Sequence, residues 1–401
     1  MRARDRSAPL SRRDVLALGL AAAGAGICVR AFAADDATAA PAQRTRKSLS
    51  AVGPLGPPDA NGVRVPAGFR ARIVARSGQP PLAHRSFLWH EAPDGGAVFA
   101  QRDGGWIYVS NAELSGGRGG ASALRFDASG ELLDAYAVLG GTTFNCAGGP
   151  TPWGTWLSCE EHPRGLVWEC DPQGRVQARP WPALGAFVHE AVAIDPATMR
   201  VYLTEDTPDG CWYRFTPQRL DRATGRPDLS GGMLEVAQWL ETGEVRWHRI
   251  VDPAGGAVPT RKQVPQATRF RGGEGCCFAN GKVYFSTKHD NRVWEYDCVT
   301  ARLRVLYDAN ASRDAVLRGV DNVTVASDGS VLVAEDAGDM QIVALAPDGS
   351  ATPIVQIEGH ARSEVAGPGF DPSGTRLYFS SQRGAAGRNG DGVTYEVSGP
   401  F

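Results

Sequence analysis

Several signatures of common protein classes are missing from this 401-residue sequence. It contains no Cys-x-x-Cys pair, which argues against a structural zinc site. It also lacks a Gly-x-Ser-x-Gly elbow, a GxxxxGK phosphate loop and a dinucleotide fingerprint after a strand. His-Glu pairs occur at His90 and His189, but neither belongs to an HExxH motif, which excludes the zinc-protease helix. These absences leave a metal-dependent reaction of another kind open.

The sequence also has little net charge and no long apolar run in its mature part. Its 42 Lys and Arg residues nearly balance 44 Asp and Glu residues, which gives a formal net charge of −2. There is no basic stripe and no long block of one sign, so nucleic acid is not expected as a partner. No apolar run reaches membrane-spanning length. We therefore expect a monomer without a membrane span in the mature form.

Residues 1–33 have the composition of an export signal rather than of a folded element. The arginine pair Arg12 and Arg13 is followed by a weakly apolar, Ala/Gly-rich stretch and by Ala-Phe-Ala at 31–33, a small-x-small cleavage site. This arrangement predicts a bacterial twin-arginine (Tat) signal, with the Tat export machinery as a partner and a periplasmic or extracellular location. Cys28 suggests a lipoprotein as the alternative, but the residue before it fits a lipobox poorly. Because Tat exports folded and often cofactor-loaded proteins, the signal also hints at a metal.

What the sequence does contain is one short strand signal repeated six times. The copies are GWIYVSN (105–111), GTWLSCE (154–160), RVYLTED (200–206), KVYFSTK (282–288), SVLVAED (330–336) and RLYFSSQ (376–382). The steps between equivalent positions 108, 157, 203, 285, 333 and 379 are 49, 46, 82, 48 and 46 residues, so one unit carries an insertion. Such a period is typical of propeller blades of four strands each.

A second strand and a turn with Asp, Pro or Gly follow each copy, as hairpin chemistry requires. We therefore predict an all-β fold, a six-bladed β-propeller. The alternative is a β-sandwich or an irregular all-β domain, but a sandwich gives no reason for one motif to return at nearly constant spacing. The segment FRARIVAR (69–76) is expected to supply a last strand that closes the ring. The predicted boundaries are 1–33 for the signal, 34–60 for a linker and 61–401 for the propeller.

Acidic residues recur at equivalent positions of the predicted ring. In a propeller, the innermost strand of each blade lines the central channel, and the loop before it lies at the channel mouth. Before the six signals come Glu91, Cys146, Glu190, Glu274, Asp321 with Asn322, and Glu364. At or just past their ends come Asn111 with Glu113, Glu160 with Glu161, Glu205 with Asp206, His289 with Asp290, and Glu335 with Asp336. Ring symmetry would gather these positions into one cluster.

So many carboxylates around a narrow channel would raise one another's pKa unless cations neutralised them. Oxygen ligands in that number suit calcium, or ferric iron if a thiolate joins them. Cys146 is the candidate thiolate because it lies in a glycine-rich turn, whereas most other cysteines are interpreted as small buried hydrophobes. For any single acid, a solvated loop carboxylate is the simpler interpretation. His90 and His189 are expected to pack or to hydrogen-bond ligating carboxylates.

Several stretches of the sequence resemble a known family. They are NCAGGPTPWGTWLSCEE (145–161), HEAVAIDP (189–196), YLTED (202–206), GGEG (272–275), GVDNV (319–323), VAED (333–336) and EVAGPGFDPSGTRLYFSSQ (364–382). From about residue 60 to the C terminus, the chain resembles the PhoX alkaline phosphatase family of secreted bacterial proteins. The resemblance implies a six-bladed propeller, Tat export, and an active site of two ferric ions (Fe3+) with calcium ions (Ca2+), in which a cysteine thiolate and glutamates hold the iron.

By motif match, the resemblance implies that Cys146 is the iron thiolate and Glu274 an iron carboxylate. Further iron or calcium ligands would be Glu91, Glu161, Glu190 and Glu335, with Glu160, Glu205, Asp206 and Glu364 as additional candidates. The family places a phosphate-orienting arginine two residues before the glutamate that matches Glu274, and this chain has Gly272 there. Arg271 is one position away, and Lys288 and Arg383 are next in line for that role.

Together these features predict a secreted, metal-dependent phosphomonoesterase that releases phosphate from small organic phosphate esters. The departure at Gly272 favours a different function. That alternative is a calcium-stabilised binding propeller without catalysis, or a hydrolase of a non-phosphate ester, since a fold alone does not fix function.

Overall fold

The computed structural model describes residues 48–311 and 315–401, which form strands joined by turns and loops. The predicted export signal lies outside the described residues. The helical elements that the described residues contain are short 3-10 turns: Leu49–Ala51, Pro182–Leu184, Thr260–Lys262, Lys288–Asp290, Ala309–Ala311 and Asn389–Asp391. No helix within these described ranges has the length and apolar character needed to span a membrane.

The strands form six antiparallel sheets. Two strands precede the first blade: β1 (Val63–Arg64) and β2 (Arg70–Arg76). Blade one contains β3 (Pro93–Ala100), β4 (Trp106–Ala112), β5 (Gly119–Phe126) and β6 (Leu132–Thr142). Blade two contains β7 (Asn145–Pro150), β8 (Trp156–Glu160), β9 (Val167–Cys170) and β10 (Arg179–Pro180). Blade three contains β11 (His189–Asp195), β12 (Arg200–Glu205), β13 (Trp212–Pro217), β14 (Gly232–Trp239) and β15 (Val245–Arg249).

The second half of the chain continues the same plan. Blade four contains β16 (Gly273–Ala279), β17 (Lys282–Thr287), β18 (Arg292–Asp297) and β19 (Arg302–Asp308). Blade five contains β20 (Val320–Val325), β21 (Val331–Glu335), β22 (Gln341–Leu345) and β23 (Ala351–Ile357). Blade six contains β24 (Val365–Phe370), β25 (Arg376–Ser381) and β26 (Val393–Ser398). The predicted all-β, six-bladed propeller is confirmed.

The ring closes through both ends of the chain. The first strand of each blade packs against the first strand of the next, and β24 of blade six contacts β3 of blade one. Blade six receives its outer strand from the N-terminal side, because β2 pairs with β26 from Arg70 opposite Ser398 to Arg76 opposite Val393. This confirms the predicted closing strand. Strand β1 similarly extends blade five by pairing with β23.

The six repeated sequence signals form the second strand of each blade: β4, β8, β12, β17, β21 and β25. Their residues are almost all buried, because both faces of a blade pack against neighbouring blades. The runs are therefore continuously apolar rather than alternating. Between blades three and four, for example, Trp212 stacks on Phe285 with ring centroids 4.6 Å apart. The long step in the repeat falls in blade three, which has a fifth strand and a connection over 250–272.

Every first strand carries a β-bulge at the same place. The extra residue falls within the pairs Asp94-Gly95, Cys146-Ala147, Glu190-Ala191, Glu274-Gly275, Asp321-Asn322 and Gly367-Pro368. A bulge bends its strand and re-aims a side chain. Of the residues that we expected in loops before the inner strands, Cys146, Glu190, Glu274, Asp321 and Asn322 lie within these strands, where the bulges set their direction, whereas Glu91 and Glu364 precede their strands.

Small residues at the bulges close the central channel. Gly95, Ala147, Ala191 and Gly275 are among the residues that surround a residual cavity of about 30 Å³. A Cβ atom added to Gly275 would lie 2.5 Å from the backbone nitrogen of Val323, so neighbouring inner strands touch backbone to backbone. We call this ring of small residues the plug.

A larger cavity of about 640 Å³ opens beyond the plug, lined by the C-terminal halves of the inner strands.

Candidate metal and phosphate site

Ligand side chains from all six blades converge at the N-terminal ends of the inner strands. Within each of four groups, the ligand atoms lie within 4.8 Å of one another. The groups are Cys146 with Glu161 and Glu190, Glu190 with Glu274 and Asp321, Asp321 with Asp336 and Glu364, and Asp94 with Glu113 and Glu364. Because Glu190, Asp321 and Glu364 each belong to two groups, all four join into one set, which we call the acidic cluster.

The bulges and the ends of the second strands together build this cluster. Five blades contribute the first residue of their bulge: Asp94, Cys146, Glu190, Glu274 and Asp321. Blade six has Gly367 at that position and instead contributes Glu364 from just before β24, which forms a single β-bridge with Asp336. Glu113, Glu161 and Asp336 each follow the end of a second strand.

The first part of the cluster consists of Cys146, Glu161 and Glu190, and we call it the thiol half. Glu190 is fully buried, and neither of its carboxylate oxygens has a hydrogen-bond partner among the described residues. Burial, and then the nearby Glu274 and Glu161 carboxylates, raise the pKa of Glu190 well above its usual value. A buried carboxylate without a partner is strongly unfavourable, and such groups in proteins pair with cations or coordinate metals.

The donor set of the thiol half fits a metal ion. Burial, followed by Asp94 and Glu190, raises the pKa of the Cys146 thiol, and a coordinating metal would deprotonate such a thiol outright. A thiolate with carboxylates suits iron, whereas the oxygen-only group of Glu190, Glu274 and Asp321 suits a hard cation, a class that includes both ferric iron and calcium.

The opposite part of the cluster contains two protein cations, and we call Asp336, Glu364, Lys288 and Arg383 the lysine half. Lys288 Nζ lies 2.8 Å from Glu274 Oε1 and 3.1 Å from Asp336 Oδ2. Arg383 Nη2 donates to Glu364 Oε2 at 2.8 Å and lies 3.9 Å from Asp336 Oδ1. Burial lowers the pKa of Lys288, but the surrounding carboxylates, Glu274 first, outweigh this effect and raise it.

A buried glutamine holds the remaining group together. Gln382 Nε2 donates hydrogen bonds to Asp94 Oδ2 and to Glu113 Oε2, the latter at 2.8 Å. Burial is the main cause that raises the pKa of Asp94 and of Glu113. Gln382 is itself fully buried at the end of the last sequence repeat.

Three predicted ligands lie outside the four groups, because each one stabilises a loop of its own blade. In each case a Glu Oε2 at the end of the second strand accepts the backbone N–H six residues later. The pairs are Glu160 with Leu166 (3.2 Å), Glu205 with Cys211 (3.1 Å) and Glu335 with Gln341 (3.0 Å). The Trp168 indole N–H also donates to Glu160, and the Tyr213 hydroxyl also donates to Glu205. These hydrogen bonds hold the three carboxylates against loops of their own blades, where they stabilise the fold and stay outside the cluster.

The remaining predicted residues lie at the rim or pack nearby. Glu91 is 46% exposed at its side chain, lies 3.7 Å from Arg118, and belongs to none of the four groups. Arg271 is exposed on the loop before β16. Asp206 is close to Glu161, since burial, Glu113 and then Asp206 raise the pKa of Glu161 to about 8.

The two histidines pack rather than join the cluster. His189 stacks on Phe187 with ring centroids 3.6 Å apart, and His90 contacts the Trp89 ring at 4.3 Å.

Sequence reasoning placed Glu113, Asp321 and Asp336 on the ring without proposing them as ligands, and it missed Asp94. The signal that could have found Asp94 is the bulge pattern. Asp94-Gly95 lies in β3 where Cys146-Ala147 lies in β7, so an ionisable residue followed by a small one marks both positions.

A family model for alkaline phosphatase PhoX matches residues 107–165 and 162–384 of this chain. The chain belongs to the PhoX alkaline phosphatase family. Membership makes it a phosphoric monoester hydrolase, and the alternative of a non-catalytic binding propeller is therefore set aside. No curated protein matches the sequence.

One of the solved structures that resemble this chain confirms the fold. A Pseudomonas fluorescens PhoX, solved in complex with vanadate as a transition state analogue, has a TM-score of 0.72 and 16% identity, with 87% of this chain and 97% of that chain covered. A gluconolactonase from Xanthomonas campestris has a TM-score of 0.46 and 14% identity, covering 87% of this chain and 98% of its own. The calcium-binding protein regucalcin from Agrobacterium tumefaciens also has a TM-score of 0.46 and 14% identity, over 83% of this chain and 96% of its own.

Proposed function

We propose that the acidic cluster is the catalytic centre of a secreted, metal-dependent phosphomonoesterase that releases phosphate from small organic phosphate esters. One observation carries this proposal. The Glu190 carboxylate is fully buried without a hydrogen-bond partner, and it belongs to both a thiol-containing group and an oxygen-only group. A charged carboxylate in this position is strongly unfavourable unless a cation pairs with it. The PhoX family supplies the substrate class, a phosphate ester.

The donor atoms of each ligand group indicate which metal ion that group would bind. Cys146, Glu161, Glu190 and Glu274 would hold the two ferric ions (Fe3+) that the family resemblance implies. The all-oxygen group of Asp94, Glu113 and Glu364 fits calcium (Ca2+). When bound, these ions polarise the phosphoryl oxygens and stabilise charge on the attacking and leaving oxygens.

The cations of the lysine half bind and orient the phosphate. Lys288 carries three N–H donors, and its two carboxylate partners leave one donor for a phosphoryl oxygen. Arg383 presents a planar set of five donors, of which Glu364 and Gln382 use only part. Their side chains remain 28% and 30% exposed, so both face solvent at the mouth of the cluster. Arg271 lies outside this arrangement on the exposed rim.

Export through Tat completes the proposal. Residues 1–33 carry the twin-arginine signal and residues 34–60 link it to the propeller, so the mature enzyme works in the periplasm or outside the cell.

The test combines elemental analysis with an activity assay on protein exported through its own leader. We expect iron and calcium in the purified protein and hydrolysis of a generic aryl phosphate. Chelation should abolish turnover and lower the melting temperature, because a metal that binds only the folded state stabilises that state. An active protein without metal would contradict the proposed centre. A fully metal-loaded protein without activity on phosphate esters would contradict the proposed reaction.

A further inference from the structure

Two acids of the lysine half form a group with Asp321 that is as close as the thiol half. Ligand atoms of Asp321, Asp336 and Glu364 lie within 4.8 Å of one another, so these oxygens could surround a cation. Asp321 and Glu364 are buried, and Asp336 is about one quarter exposed at its side chain. By its carboxylates alone, this group resembles an oxygen-only calcium site.

The group differs from the thiol half because a positive charge of the protein already lies among its ligands. Lys288 Nζ contacts Glu274 Oε1 at 2.8 Å and Asp336 Oδ2 at 3.1 Å, so it connects the acids on either side of Asp321. A lysine ammonium is a compact point charge on a flexible stem, and it can therefore stand where a small cation would. Arg383 adds a second positive charge at Glu364 and Asp336.

Ammonium and metal exclude each other at this position. Calcium lies about 2.3 to 2.6 Å from its oxygen ligands. An ion bound to Asp336 within this group would therefore press against Lys288 Nζ, and like charges that close repel strongly at the low effective dielectric of a buried site. Asp336 can accept one of the two cations, but not both.

We propose that Lys288 replaces a divalent cation in the group of Asp321, Asp336 and Glu364, so that this protein binds no metal ion there. The inference rests on the proposed metal centre, since it concerns which acidic groups of that centre bind metal ions. Lys288 sets the boundary between the metal-bearing part of the cluster and the part that the protein neutralises itself. Removing its charge opens a site for a hard, oxygen-preferring cation such as calcium.

The test is a count of bound calcium in Lys288→Met, which keeps the length of the side chain but not its charge. Parent and variant are equilibrated with calcium, freed of loose ions and measured for calcium and iron per chain. We expect Lys288→Met to hold one calcium ion more than the parent, with its iron content unchanged. The matched control Lys288→Arg keeps the positive charge, so its calcium count should equal that of the parent.

Two further measurements keep the result decisive. In calcium, the melting temperature of Lys288→Met should rise more than that of the parent, and the double variant Lys288→Met/Asp336→Asn should return to the parent's calcium count. An unchanged count in Lys288→Met overturns the proposal, and so does a variant that fails to fold even in calcium. Because the readout is the number of ions, a protein inactive on phosphate esters would refute the proposed reaction and leave this inference to be decided by the count.

Discussion

The thiol half and the lysine half lie side by side in one cluster and are neutralised in opposite ways. Bulges of inner strands supply Cys146 and Glu190 to the first and Asp321 to its border with the second. Glu190 has no partner within the described residues, whereas Asp336 and Glu364 lie beside Lys288 and Arg383. The comparison teaches that repeated geometry fixes where charges meet. The residues of each blade then decide whether the protein or a ligand supplies the opposite charge.

Among the substitutions, replacing Glu190 should have the largest effect on metal binding and turnover. We expect Glu190→Gln to lose bound metal and to reduce turnover by about a hundredfold or more, because metal ions supply several kcal/mol of transition-state stabilisation. The metal-free variant should melt no lower than the metal-free parent, since a neutral amide avoids burying an unpaired charge. Elemental analysis, aryl phosphate kinetics and melting curves measure these effects.

Glu235→Gln is the matched control for this substitution. Glu235 is also a buried glutamate, but it pairs with Arg214 at 2.7 Å within blade three. Its replacement should lower stability and leave metal content unchanged. Equal metal content in Glu190→Gln and the parent would show that Glu190 is not a ligand.

Replacing the thiol should have the next largest effect. Cys146→Ser is expected to lose iron and about 2 kcal/mol of transition-state stabilisation, roughly thirtyfold in turnover, because Cys146 belongs to one ligand group while Glu190 belongs to two. The propeller should remain folded, since packing between blades rather than one side chain holds it together. Cys277→Ser, at an inner-strand thiol beside the cavity beyond the plug, is the control and should keep its iron. Full iron content in Cys146→Ser would refute the thiolate assignment.

On the lysine side, the effect should be smaller and confined to the substrate. Arg383→Ala should lower turnover about tenfold through the loss of a charge-assisted contact with phosphate, without changing the iron content. Arg271→Ala should stay within about twofold of the parent, because Arg271 is exposed on the rim. Steady-state kinetics of both variants test the distinction. A larger loss in Arg271→Ala than in Arg383→Ala would reverse the assignment.

Outside both halves, Glu335→Gln should change stability alone. Glu335 accepts the backbone N–H groups of Arg318, Asp339 and Gln341, and the amide cannot accept all three. We expect a loss of about 1 to 2 kcal/mol in the free energy of unfolding, with metal content and turnover of the folded protein unchanged. Denaturant unfolding and metal analysis measure the two quantities. Loss of metal would place Glu335 among the ligands after all.

The sequence predicted the ring well because the evidence for it is local and repeated. Each copy such as RVYLTED is a buried second strand, and the spacing of the copies set the number of blades. The closing strand over 69–76 was predictable for the same reason, since an open ring would expose a sheet edge. Cys146, Glu190 and Glu274 are brought together because their equivalent positions in three repeats become neighbours once the ring is closed.

The repeat pattern does not predict the direction in which individual side chains point. In Glu160-Glu161, Glu205-Asp206 and Glu335-Asp336, the first acid accepts hydrogen bonds within its own blade and the second points toward the cluster or its rim. Successive residues of a strand face opposite sides, so one position decides between the two tasks. The bulge of β3 directs Asp94 into the cluster, whereas Glu91 precedes that strand and lies exposed at the rim.

The plug makes the central channel a dead end. Gly275 and its counterparts bring the inner strands into backbone contact, and the space left between the two ends of the ring is a cavity of only about 30 Å³. An ester that enters and the phosphate that leaves must therefore use the same opening, and the second ester must wait until the first phosphate has gone. Free phosphate should accordingly inhibit by competing with the ester for one place, so that the enzyme slows as its own product accumulates.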